Sequence, residues 1–208
     1  SFQQVGTNCG LIGKNAAVEV DGSAYWMSEN GFFRYTGRLE SLPCLVEDYV
    51  YDDINTVNKN HIYAGLNNLF GEVTWFYPGS GAASNNRSVT YNYMDSSPQR
   101  AVWTTSSLAR STWADSHIFG KPHATEYDSD STSDSTVGNT DGCTTYYEHE
   151  TGNNQIKAGT ATAITANIQS GDFDLGVQGN LQGDTNAGEV MMKIRRVLPD
   201  FLTQTGTT

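Results

Sequence analysis

Apolar and polar positions alternate over short stretches along most of this chain, the spacing of half-buried β-strands rather than of amphipathic helices. Ala17-Val18-Glu19-Val20 runs into Asp21-Gly22, a two-residue hairpin signal, and Ala24-Tyr25-Trp26-Met27 returns from it. Ser28-Glu29-Asn30-Gly31 makes the next turn, with Asn-Gly expected in left-handed conformations, and Phe32-Phe33-Arg34-Tyr35 follows as a third strand. Three strands joined by tight turns form a meander.

The same text recurs with variation. His61–Gly65 is followed by Glu72–Tyr77, then by Arg87–Tyr93 and by Arg100–Trp103. A third copy is expected at Pro122–Tyr127 and Cys143–His149, around a long polar loop. Trp26 and Trp75 stand 49 residues apart, and Tyr127 lies 52 further on. A period near 50 residues, each unit a small antiparallel meander, fits β-propeller blades. A β-sandwich is the weaker fit, because its strands arrive more evenly, and the long stretch Leu39–Lys59 suits a crossing between blades. Helical signals are nearly absent, Asp53–Lys59 and Thr105–Ala114 being the best candidates.

The expected fold is therefore all-β, with β-propeller-like antiparallel meander blades over residues 1–160. Residues 161–208 supply additional strands that join the propeller or form a second β subdomain. Within them, Ala161–Gln169 alternates weakly and Glu189–Leu198 reads as a strong strand closed by Pro199. Because a closed propeller needs at least about four blades, roughly three repeats point to an incomplete propeller or part of a larger one. Open sheet edges of that kind need a partner.

Composition sharpens this picture. Twelve basic against 23 acidic residues give a net charge of −11, which disfavours a general nucleic-acid binder, while leaving room for a local basic patch. Charged residues are only 17% of the chain, below the roughly 25% usual for soluble domains, and 21 glycines favour a turn-rich β-protein. No apolar run is long enough to span a membrane as a helix. Ser1-Phe2-Gln3-Gln4 lacks the basic start and apolar core of a signal peptide, and the chain has neither an initiator Met nor a cap on Thr203–Thr208, as expected of a processed or truncated protein. Cys9, Cys44 and Cys143 show no C-x-x-C spacing; buried free thiols from a reducing cytosol are expected, with one disulfide plus one thiol as the alternative.

Candidate chemistry is sparse. Glu148 and Glu150 at i, i+2 would share a strand face at a separation suited to glycosidic cleavage, but such pairs arise by chance among 23 acids, as do Asp52-Asp53 and Asp172-x-Asp174. The stretch Asp128–Gly142 fails the calcium-loop pattern: Thr132, Ser133 and Asn139 stand where an acid, Gly and Glu are needed. His61, His117, His123 and His149 have no ligand spacing, and no G-x-S-x-G elbow or phosphate loop is present. No catalytic, metal or cofactor residues are assigned. Trp75-Phe76-Tyr77 and Tyr91-x-Tyr93 could stack on bases or sugars, but are better read as blade core or interface. A sugar-binding alternative would place Trp75 and Trp103 at the ligand.

Certain strings are less generic. Glu72-Val73-Thr74-Trp75-Phe76-Tyr77-Pro78, then Asn86-Arg87-Ser88-Val89-Thr90-Tyr91-Asn92-Tyr93, Trp103 and Leu108-Ala109-Arg110-Ser111-Thr112-Trp113-Ala114-Asp115 resemble tail proteins of tailed bacteriophages. So do Gly31–Tyr35 with Leu42-Pro43-Cys44 and Asp48–Asn55, and Ile168–Asp174 with Arg195–Phe201. The resemblance spans roughly residues 16 to 201. It is to the tail nozzle, tail tubular B-type and packaged-DNA-stabilisation proteins of short-tailed phages. It implies a propeller-bearing, non-enzymatic virion structural subunit, made in the host bacterial cytoplasm. It further implies a homo-oligomeric ring, expected to be hexameric, contacting portal or adaptor proteins and extending the portal channel for genome retention and DNA ejection. Genomic DNA would pass without specific binding, for which an acidic wall is suited, and no cofactor or membrane is involved. Such proteins are generally longer, and the Asp128–Gly142 insertion is outside their pattern.

Overall fold

A computed structural model describes residues 4–97, 100–128, 143–157 and 160–165. Those up to Ile164 belong to a compact unit, Ser1–Ile164, and residues 166–208, including the expected Glu189–Leu198 strand, lie outside the described residues, as does most of the Asp128–Gly142 loop. The architecture is all-β and antiparallel. β1 (Ala17–Val20), β2 (Ser23–Ser28), β3 (Gly31–Tyr35) and β4 (Leu39–Leu42) form one four-stranded meander in chain order. β5 (Tyr63–Asn67), β6 (Glu72–Tyr77), β7 (Arg87–Ser97) and β8 (Arg100–Ser106) form a second. β9 (Thr112–Ala114), β10 (His123–Asp128) and β11 (Cys143–Glu148) form a third, three-stranded one. The hairpin of β12 (Asn154–Lys157) and β13 (Thr160–Ala163) is separate.

Trp26, Trp75 and Tyr127 all fall on the second strand of their sheet, so the 50-residue period is a period of sheets. The Asp21-Gly22 turn has both residues at positive φ, +48° and +78°, the two left-handed positions that let a two-residue loop follow strand twist. At the next turn only Gly31 is left-handed, at +116°, and Asn30 is not. Two further expectations are corrected. Leu39–Lys59 is not a bare crossing: it holds the closing strand β4, helix α1 (Glu47–Asp53) and the start of the 3₁₀ helix Thr56–His61. Thr105–Ala114 is not helical, for it comprises the end of β8 and the whole of β9. Its Thr and Trp favour extended backbone, and Trp113 is held there by packing.

Period-2 geometry assigns each sheet its faces. Tyr25, Met27 and Phe32 of the first sheet meet Val73, Trp75, Tyr77, Val89 and Tyr91 of the second, forming the main core with Val50 and Ile62. Phe32 lies 5.0 Å from Trp75 and 4.7 Å from Trp103, ring centre to ring centre. The opposite face of the second sheet receives the third: Phe76 lies 5.5 Å from Trp113. Strand β6 is therefore buried on both faces from Val73 through Tyr77. The first strands lie side by side, β1 against β5 and β5 against β9, as in successive propeller blades. Among the described residues, three sheets of this kind form a stack.

All four tryptophans anchor their indole N–H on a backbone carbonyl outside their own sheet: Trp26 on Cys9, Trp75 on Ala16, Trp103 on Pro43 and Trp113 on Leu66. The ring buries apolar area while its one donor is satisfied. Gly65 is the footing of Trp113, since a Cβ there would stand 2.6 Å from the indole. Gly65→Ala is expected to destabilise the protein by about 1–3 kcal/mol, the usual range for overpacking. Thermal unfolding checks this; an unchanged midpoint would mean that the third sheet is not seated on the second.

Candidate functional site

The unusual residues of the chain gather at joints between sheets. Helix α1 and the loop after β6 form one. Tyr51 Oη donates to the Ser28 carbonyl at 2.6 Å and receives Gly31 N–H at 3.2 Å, clamping the β2–β3 turn. Asp53 pairs with Arg87 at 3.1 Å and accepts Ser80 N–H, while Asn55 donates to the Ala82 carbonyl. The Asp48–Asn55 string thus straps the first sheet to the second. Burial pushes the Tyr51 phenol above its ordinary value, and it stays a neutral donor at physiological pH.

The joint between second and third sheets is more polar. Arg110, only 4% exposed, projects its guanidinium 4.0 Å above the Tyr147 ring and pairs with Glu126 at 3.4 Å. Its Nε–H donates to His149 Nε2 at 2.9 Å. An arginine can only donate, so His149 accepts as a neutral imidazole with its proton on Nδ1. Burial, with the Arg110 charge and then His123, lowers the His149 pKa to about 4. The same ring packs 4.6 Å from Trp113. Close by, Asn67 donates to Glu150 at 3.0 Å and to Glu72 at 3.5 Å, and burial with the Glu150 charge raises the Glu72 pKa. Asp115 accepts Asn68 N–H at 3.1 Å.

These positions revise the candidate chemistry. Glu148 and Glu150 do not share a strand face: β11 ends at Glu148, which pairs with Lys121, and Glu150 turns away at φ +58° towards Asn67. Trp75 is completely buried and so is no platform for a sugar, while the half-buried Trp103 packs on Phe32, Trp75 and Tyr91. Cys9 and Cys44 are half-buried free thiols, and burial pushes the Cys44 thiol up to about 12. The side chain of Cys143 is outside the described residues. Asp172 and Asp174 are too, while Asp52 is exposed beside the strap residue Asp53. Arg110 was legible only as part of a string, because no spacing rule announces a buried arginine.

What remains open is the outer face of the third sheet. His123 stacks on Tyr146 at 5.3 Å and meets the edge of Phe119 at 4.7 Å. Tyr146 is 63% exposed and Phe119 61%, with Tyr127 exposed on the same face. Phe119 is brought there by the short helix α2 (Ser116–Phe119), which ends on left-handed Gly120. On the first sheet, the outer face likewise carries a stacked pair, Trp26 and Phe33 at 5.8 Å, both half-buried. The stack therefore presents aromatic rings at both ends. No protein-family model matches this chain, and no curated protein matches it.

The Arg110–His149 contact has a pH signature. A histidine whose folded pKa lies below its unfolded value of about 6.5 contributes stability that is full above that value and is lost as pH falls towards 4. His149→Gln keeps an acceptor for Arg110 without titrating. The variant is expected to lose less thermal stability than the parent between neutral pH and the mid-acid range; parallel curves would remove His149 from the acid response.

Proposed function

We propose that this chain is a wall subunit in the tail of a short-tailed bacteriophage, a structural component of the nozzle or hub that extends the portal channel. The observation that carries the reading is the open stack of meander sheets with an exposed ladder of Phe119, His123 and Tyr146 on its last face. Exposed apolar patches of this kind mark interaction surfaces. A subunit of a ring needs two different faces that meet head to tail, and the two ends of the stack offer them.

The resemblance noted in the sequence supplies the biological setting: a ring, expected to be hexameric, joined to portal or adaptor proteins in the virion, with no catalytic role. The strings that carry it, Glu72–Pro78, Asn86–Tyr93, Leu108–Asp115 and Asp48–Asn55, coincide with the sheet joints, which suits a wall whose sequence is constrained by shape. The charge of −11 favours DNA passing through the duct without adhering to it.

A second reading, a propeller-type carbohydrate- or receptor-binding module, is favoured by the same exposed ladder, because its rings are also able to stack on a sugar.

Native mass measurement separates the two. A ring of identical subunits is expected from the parent chain, and Phe119→Asp with Tyr146→Asp is expected to release monomers whose circular dichroism is unchanged. A monomeric parent that binds glycans, and loses them on Tyr146→Ala, would overturn the wall reading in favour of the second.

A further inference from the structure

A cleft of about 430 Å³ opens between the segment before β1, the start of β5 and the end of β10. Its wall draws on the segment before β1 (Lys14, Asn15), the end of the 3₁₀ helix (Asn60, His61), the loop before β7 (Ser84, Asn85) and two tyrosines, Tyr63 and Tyr127. The geometry is anchored at its base by the backbone: Ala64 N–H donates to the Asn15 carbonyl at 2.8 Å, and Asn85 Nδ2 donates to the carbonyls of His61 at 2.8 Å and Arg110 at 2.9 Å. Asn85 is 4% exposed, and its Oδ1 has no donor among the described residues.

Three features set the ligand. First, no Asp or Glu among the described residues lines the cleft, although acids outnumber bases by 23 to 12 along the chain. Second, Lys14 is exposed and forms no ion pair among the described residues, as is also true of Arg100, whereas Arg34, Arg38, Lys59, Arg87, Arg110 and Lys121 are paired. An ammonium with no described carboxylate beside it favours a negative group. Third, the remaining lining combines two tyrosine rings with three amides, the hydroxyls of Ser84 and Ser111, His61 and Ala83: rings suit the C–H face of a pyranose, and amides and hydroxyls suit its vicinal hydroxyls. The volume takes one or two sugar rings, at the lower end of ordinary ligand cavities.

From these features we infer that the cleft binds an acidic sugar unit, a pyranose bearing a carboxylate, with Lys14 on the carboxylate and Asn60 and Ser84 on the hydroxyls. The cleft is built within a single chain, so the inference stands or falls apart from ring formation. It also involves residues distinct from the Phe119–His123–Tyr146 ladder.

Saturation-transfer NMR on the full chain tests it with three probes: D-glucuronate, D-glucose and inorganic phosphate. Glucuronate is expected to bind in roughly the millimolar range suited to one small ring, and glucose more weakly. Lys14→Gln, at an exposed position, is expected to weaken glucuronate at least about fivefold while leaving glucose unchanged, a loss of roughly 1 kcal/mol. Asn60→Ala with Ser84→Ala is expected to weaken both sugars, with unfolding midpoints near that of the parent. Equal binding of glucose and glucuronate would overturn the role of Lys14. Full displacement of glucuronate by phosphate would make this a plain anion site, and no saturation of either sugar would remove the site altogether.

Discussion

One carbonyl oxygen holds the first two sheets in register. Ala16 O accepts Met27 N–H from the first sheet and the Trp75 indole N–H from the second, each at 3.0 Å, using both lone pairs of a buried acceptor. Ala16 is wholly buried, and Trp75 beside it is wholly buried in the aromatic cluster of Phe32, Trp103 and Tyr91. Sliding either sheet by one residue would strand both donors away from water and turn every core side chain to the wrong face. The adjacent carbonyl of Asn15 repeats the device for β5. The sheets are thus positioned by directional bonds, and the apolar area they bury is secured by those bonds rather than the reverse.

The middle sheet takes its character from this position. Because β6 is covered on both sides, its sequence Val73–Tyr77 cannot alternate, and Thr74 is tolerated only because its hydroxyl bonds to that of Thr90 across the strand pair at 2.8 Å. The outer sheets have one face against the middle sheet, yet they too carry consecutive apolar residues, Tyr25-Trp26-Met27 and Phe32-Phe33 in the first, because Trp26 and Phe33 stack on its outer face. What sets β6 apart is burial at every position from Val73 to Tyr77, the mark of a sheet that is stacked on twice.

That distinction explains what was legible beforehand. The spacing of Trp26, Trp75 and Tyr127 marks a repeat of sheets, with Tyr127 expected on the opening strand of the third but found on its second, and the Asp21-Gly22 turn is readable from chemistry alone. Strands β4 and β9 escaped notice because they are short and owe their conformation to neighbours: β4 pairs along β3, and β9 is pinned by Trp113 on Gly65. The pairing of Glu150 with Asn67, 83 residues away, has no local signature, and neither does a buried Arg110 satisfied by a neutral histidine. The cleft was illegible for the same reason, since its lining comes from segments scattered between Lys14 and Tyr127.

The two joints differ in kind, and the difference bears on how the molecule responds to its surroundings. The joint between first and second sheets is chiefly aromatic and apolar, so its strength scales mainly with buried area, and the half-exposed Asp53–Arg87 pair at its edge adds little. The joint between second and third rests instead on Arg110, Glu126 and His149, with Asn67, Glu72 and Glu150 beside them. Breaking one partner of such a buried ionic set is costly, because it leaves the other charge uncompensated, whereas the intact set adds little net stability over an apolar core. Its value lies in specifying one geometry. A third sheet held at a defined angle is what the Phe119–Tyr146 face needs if it is to meet a rigid partner, and the network that fixes the angle is also the one that acid can loosen. Positional accuracy and pH sensitivity thus arise from the same few residues, while the first two sheets remain a robust platform beneath them.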